Sequence, residues 1–116
     1  IGLLLSIVFQ LAHVNTYCAF TTLEERGFDI KAHQVRSTVD FATQNKVVTW
    51  LLGGLNFQVI HHLFPGVSHV HYPKMQQEVS RIIKEYNLTY HDLSLHEAFM
   101  SHLHYLKKMG TLQNIP

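Results

Sequence analysis

Two histidines stand side by side, His61 and His62, with Gln58 one turn earlier and Gly54 one turn before that, in the run GGLNFQVIHHLFP from Gly53 to Pro65. Imidazole titrates near neutral pH and is the commonest metal-ligating side chain, so the pair points to metal or proton chemistry. Wound as a helix, the run puts Gly54, Gln58, His61 and His62 on one face. Adjacent helical residues diverge by about 100°, so the two imidazoles do not chelate one ion in common but can each serve one of two neighbouring ions, which makes a dinuclear site their natural use. Gln58 offers an amide oxygen to a metal or to its water, and Gly54 removes bulk so that another helix can come close. Val59, Ile60, Leu63 and Phe64 would keep the surroundings dry, as a strong oxidant requires. Alone, an adjacent pair is also compatible with structural histidines or a surface metal site.

Composition supports the metal reading. The chain holds ten histidines in 116 residues, yet only 15% charged residues and a formal net charge of +1. Such a balance fits neither a disordered tail nor a nucleic-acid partner bound through bulk charge. A single cysteine, Cys18, excludes an internal disulfide framework and a cysteine-based zinc module.

The elements that must position the pair begin with an apolar run in which 14 of the first 20 residues are hydrophobic and no charged residue precedes Glu24. A spanning helix needs about 20 mostly apolar residues, so residues 1–20 read as a transmembrane helix and the chain as the C-terminal fragment of a membrane protein, with a buried helix of a soluble protein as the alternative. On that helix Ser6, Gln10, His13 and Tyr17 form a polar stripe facing protein or water, and His13 becomes a candidate ligand or relay. Residues 21–40, rich in charge, read as a connection. Residues 41–64 read as an interfacial or protein-covered helix that carries the histidine pair, ended by Pro65 and Gly66. Beyond Pro73, residues 73–116 read as cytosolic helices, the first amphipathic through Met75, Val79, Ile82, Ile83 and Tyr86, the second opening on a Ser94–Glu97 capping box. No strand pattern competes, so the expected class is all-α, a polytopic membrane helical fragment.

The sequence NFQVIHHLFP closely resembles the third histidine box of membrane fatty acid desaturases of the front-end type, in which glutamine replaces the first histidine of an HxxHH pattern. FQLAHV, HQVRSTVDFA, HVHYPKM and AFMSHLHYLKKMG follow the order seen in that family, so the resemblance runs over roughly residues 5–110. Three positions depart from it: the middle of the box is commonly Ile-Glu and is Val59-Ile60 here, and Asp40 stands where asparagine is expected. The resemblance implies a di-iron centre of two iron ions, with His61 and His62 as ligands, Gln58 in the place of the box's first histidine, and His13 as an extra histidine from the end of a helix.

It further implies an O2-dependent fatty acyl desaturase, an oxidoreductase that places a double bond in an acyl-CoA or lipid-linked acyl chain. Electrons would come from a donor protein, cytochrome b5 or a ferredoxin. The setting would be membrane lipid, in the endoplasmic reticulum of a eukaryote or the cytoplasmic membrane of a bacterium, and the fragment alone would be inactive for want of further ligands. Related readings are a histidine-box hydroxylase and a non-catalytic metal-binding membrane protein. His33, His69, His71, His91, His96, His102 and His104 read as support or surface.

Overall fold

A computed structural model describes residues 1–18 and 29–112. Its elements in chain order are helices α1 (Gly2–His13) and α2 (Ile30–Arg36), strand β1 (Asp40–Phe41), helices α3 (Lys46–Leu51) and α4 (Gln58–Leu63), a loop that holds one 3-10 turn (His69–His71), helix α5 (Tyr72–Glu85), strand β2 (Asp92–Leu93) and helix α6 (Leu95–Leu112). Residues 21–28 of the charged connection, with Glu24, Glu25 and Arg26, lie outside the described residues, as do residues 113–116.

The expected transmembrane helix over residues 1–20 is corrected. α1 has 12 residues, which at 1.5 Å each reach about 18 Å of the roughly 30 Å of a bilayer core. Asn15, fully buried, ends it: the side-chain amide donates to the Leu11 carbonyl at 2.8 Å, while its oxygen accepts the amides of Tyr17 and Cys18 at 2.9 and 3.2 Å. The longest helix, α6, has 18 residues but carries Glu97, Lys107 and Lys108. Among the described residues no helix is long and apolar enough to cross a membrane. That finding overturns the polytopic membrane class, and with it the integral placement in an endoplasmic reticulum or cytoplasmic membrane.

Helices dominate, as expected, but two short strands were not foreseen. β1 pairs with β2 in parallel, Asp40 opposite Asp92 and Phe41 opposite Leu93. Two-residue strands are too short to leave an alternating pattern in the sequence. They join the chain's middle to its end, and Val39 is held to α1 by the hydrogen bond its N–H donates to the Ala12 carbonyl at 3.0 Å.

The helix expected over 41–64 is instead two short helices. Gly53 and Gly54 both take left-handed backbone angles, φ +57° and +77°, a conformation that side chains disfavour. The turn they make interrupts the helical path between α3 and α4. Gly54 therefore does not share a helical face with Gln58; it lies against the loop, where a Cβ would come within 2.7 Å of the His69 Cβ.

Two apolar clusters hold the elements. One gathers Val8, Leu11, Ala12 and Cys18 with Val39, Phe41, Leu93 and Ala98. The other packs Val35 with Phe57, Val59 and Ile60 of the α4 region and Tyr72, Val79 and Ile83 of α5. Ile60, fully buried, fills core space, so the box's departure from an acidic residue is matched by an apolar environment. The capping box at α6 forms in both directions, Ser94 N to Glu97 Oε2 at 2.8 Å and Glu97 N to Ser94 Oγ at 3.1 Å.

Candidate functional site

α4 is six residues long and carries the histidine pair in its last turn. The buried side of this helix, Gln58, Val59 and Ile60, anchors it in the second cluster, which leaves His61 and His62 half-buried at its outer end. Their ring centroids are 5.7 Å apart with planes at 59°, and the two imidazoles meet different partners, Tyr72 for His61 and His13 for His62.

His62 meets His13. The two Nε2 atoms approach to 3.2 Å and the rings stand edge to face, centroids 5.1 Å apart at 76°. α1 ends at His13 because Asn15 turns the chain there, and Phe9, one helical turn back, stacks on the His13 ring with centroids 6.0 Å apart.

Neighbouring groups decide which nitrogens carry protons. His13 Nδ1 lies 3.4 Å from the Ser37 carbonyl, which can only accept, so Nδ1 holds the proton and Nε2 offers a lone pair. Without an ion, His62 Nε2–H then donates to it. Burial, followed by the positive charge that His13 and His61 would carry, holds His62 below the ordinary histidine value and favours the neutral ring that a metal needs. His61 Nδ1 lies 3.2 Å from the Tyr72 hydroxyl. With the Nδ1 proton given to that oxygen, His61 Nε2 is left free to ligate.

Two imidazoles on one ion, each with a metal–nitrogen bond of about 2.1 Å, hold their nitrogens roughly 3.0–3.4 Å apart at coordination angles of about 90–110°. The His13–His62 separation of 3.2 Å falls inside that range. Gln58 adds an independent mark: it is 1% exposed, and neither its amide nitrogen nor its amide oxygen has a partner. Buried amides are normally satisfied, so an orphaned one asks for a ligand or a water. Among the described residues, no three His, Cys, Asp or Glu side chains gather closely enough to hold an ion by themselves. The donors present fit part of a nitrogen-rich metal shell.

The structure thus brings together His13, His61 and His62, with Gln58 buried on the same short helix as the pair. Sequence reasoning missed Tyr72, whose one signal was its place in the HVHYPKM segment. Asp40 was noted only as a departure, yet its buried carboxylate accepts the Val59 amide at 2.7 Å. The other histidines serve elsewhere: His102 Nδ1 donates to the Val14 carbonyl at 2.6 Å, which ties α6 to the end of α1, His69 packs on Gly54, and His96 and His104 are exposed.

A family model described as fatty acid desaturase matches residues 1–94. The chain is 38% identical over 115 residues to an sn-1 linoleoyl-lipid 6-desaturase of Arthrospira platensis, covering 94% of this chain and 30% of that protein. It is 38% identical over 117 residues to Delta(5) fatty acid desaturase A of Dictyostelium discoideum, covering 94% and 25%. An acyl-lipid (8-3)-desaturase of Physcomitrium patens is 41% identical over 114 residues, with coverage of 94% and 23%. The chain therefore spans between a quarter and a third of the length of the curated relatives it matches, or slightly less. No solved structure matches.

Proposed function

The chain belongs to the fatty acid desaturase family, and we propose that it forms part of an O2-dependent acyl desaturase of the front-end type, in which His61, His62, His13 and Gln58 help hold a di-iron centre. The observation that carries this reading is the His13–His62 nitrogen pair at 3.2 Å, the bite of two imidazoles on one ion. His61, which meets Tyr72 rather than His13, serves the second ion.

When bound, the irons supply the oxidising power, drawn from O2, that an unactivated methylene pair requires. The chain's own residues do the rest. The Ser37 carbonyl and the Tyr72 hydroxyl hold the Nδ1 protons of His13 and His61, which aims both Nε2 lone pairs. His62 must carry its proton on Nδ1 once Nε2 ligates. Val59 and Ile60, buried behind the pair, keep water from that side. The orphaned Gln58 amide hydrogen-bonds a metal-bound water or ligates through its oxygen.

The substrate in this reading is a long acyl chain carried on lipid or coenzyme A, supported by the acyl-lipid and linoleoyl-lipid desaturases among the relatives. Cytochrome b5 or a ferredoxin delivers the electrons. Further ligands come from the remainder of a longer protein, in keeping with the chain's share of its relatives' length.

The test uses the full-length protein that contains this chain, expressed in a host lacking the product fatty acid. About two irons per chain and a new double bond are expected, with both lost in His61→Ala and His62→Ala. Full iron and full product in these variants would overturn the ligand assignment, and a hydroxylated product in place of an alkene would overturn the reaction class.

A further inference from the structure

Asp40 is fully buried, and its partners are neutral: Tyr90 donates its hydroxyl to Oδ2 at 2.5 Å, Val59 donates its backbone amide to Oδ1 at 2.7 Å, and the backbone amide of Gln58 lies alongside. A carboxylate in such a place is costly unless its acceptors are used, and here both oxygens are. Oδ2 is held by Tyr90, and through Oδ1 the carboxylate holds the first turn of α4. The residue at that helix's N-cap, Phe57, makes no side-chain capping bond, so the Val59 amide of the first turn is met from 19 residues away in sequence.

Asp40 is itself tied in place from three sides. Its amide donates to the His91 carbonyl at 2.9 Å, and β1 pairs with β2. Tyr90 is fixed in turn by Gln76 of α5, whose side-chain amide lies 3.1 Å from the Tyr90 hydroxyl and also reaches Thr43 and Asp92. Strand pairing, α5 and the loop after α5 thus converge on one carboxylate, and that carboxylate grips the helix bearing both histidines. α4 is six residues long and is packed in the core through Val59 and Ile60; the Asp40 carboxylate adds a directional polar tie at its first turn. Metal and catalytic constellations must be held within about 0.5 Å or 10–20° to work.

We propose that Asp40 is a positioning residue for the histidine pair: held by Tyr90, it caps α4 and sets the direction in which His61 and His62 leave the helix. This rests on the reading of those histidines as iron ligands. Asparagine in its place keeps an oxygen for the Val59 amide and turns an N–H toward Tyr90, whose hydroxyl can also accept. Leucine, similar in size, offers neither.

In the full-length protein, iron affinity is measured by chelator competition well below the melting temperature, and the iron environment by Mössbauer spectroscopy. Expected are roughly 10–100-fold weaker binding and an altered spectrum for Asp40→Leu, the range seen when groups behind metal ligands are lost, and rescue to within about threefold by Asp40→Asn. Tyr90→Phe, which leaves the carboxylate and takes only its hydroxyl donor, is expected to weaken iron binding by about threefold to tenfold and carries the test if Asp40→Leu does not fold. Wild-type affinity and spectrum in Asp40→Leu, or in Tyr90→Phe where that variant stands in, overturn the proposal while His61→Ala and His62→Ala still lose iron. Retention of iron by the two histidine variants overturns the ligand reading and this inference with it.

Discussion

His13 and His62, 49 residues apart in the chain, face one another nitrogen to nitrogen at 3.2 Å. The contact joins the end of α1 to the end of α4, and neither helix would place its histidine there alone. Two nitrogens at this distance share either one proton or one cation, and two protonated rings would repel.

If both histidines serve one ion, their losses overlap. His13→Ala and His62→Ala should each weaken binding at that ion by more than about 100-fold, beyond the 10–100-fold typical of losing a group behind the ligands. The double variant should then be scarcely worse than either single one, because coupled sites are not additive. Iron content by metal analysis across the three proteins checks this; a double loss equal to the product of the single losses would place the two histidines on separate ions.

Tyr72 is 3% exposed and its hydroxyl meets His61 Nδ1 at 3.2 Å. Tyr72→Phe keeps the ring in its cluster and removes only that oxygen, so thermal stability should fall by no more than about 1 kcal/mol. Iron affinity should drop about tenfold as His61 loses the partner that fixes its proton. Parallel melting curves and chelator titrations separate the two effects, and a large loss of stability with unchanged affinity would make Tyr72 a packing residue alone.

Much of this site was legible because it is local. His61, His62 and Gln58 lie within five residues, and Ser94 and Glu97 announce the start of α6 within four. What could not be read is whatever depends on contacts across the fold. The apolar count of the first 20 residues gave no sign that Asn15 would end α1 at His13. The helical period over 41–64 ran through Gly53 and Gly54 as if they were ordinary helix positions, whereas both turn left-handed. Asp40, Tyr72 and Tyr90 carry no motif of their own, and only tertiary pairing shows what they hold.

The two glycines should differ in what they tolerate. Gly53→Ala meets open space and pays only for its left-handed backbone, about 1 kcal/mol. Gly54→Ala pays that and also drives its Cβ to 2.7 Å from the His69 Cβ, so about 3 kcal/mol is expected. Chemical denaturation of the two variants checks the order, and equal losses would mean that the loop at His69 yields freely.

Asp40 should leave a signature in the pH dependence of stability. Burial raises its pKa from the ordinary 3.8 to about 7, helped by the charge of Asp92 and opposed by the hydrogen bonds from Tyr90 and Val59. The folded protein then binds this proton more tightly than the unfolded chain does. Its contribution to stability is therefore complete below about pH 4, declines as pH rises, and is lost once pH passes about 7. Asp40→Asn has no such proton, so the stability of the wild type relative to this variant should fall between about pH 4 and pH 7. Urea midpoints at several pH values measure it; a difference that does not change with pH would show that the carboxylate is already ionised at low pH.

Cys18, the one cysteine in the chain, reports on the end of α1. It is 7% exposed, its thiol donates to the Ala12 carbonyl at 3.4 Å, and burial pushes its pKa up to about 11 against the weaker opposing effect of Asn15. At pH 8 the thiolate fraction of such a group is roughly 100-fold or more below that of a free cysteine, and the thiolate is the species that reacts. Iodoacetamide should therefore label the folded protein slowly and the denatured protein fast. Asn15→Ala removes the bonds to Leu11, Tyr17 and Cys18 that close the turn, so labelling should speed up under native conditions before global unfolding is seen. Because His13 sits two residues before Asn15, the same variant should also weaken iron binding, and labelling that stays slow in it would show that the turn closes without this side chain.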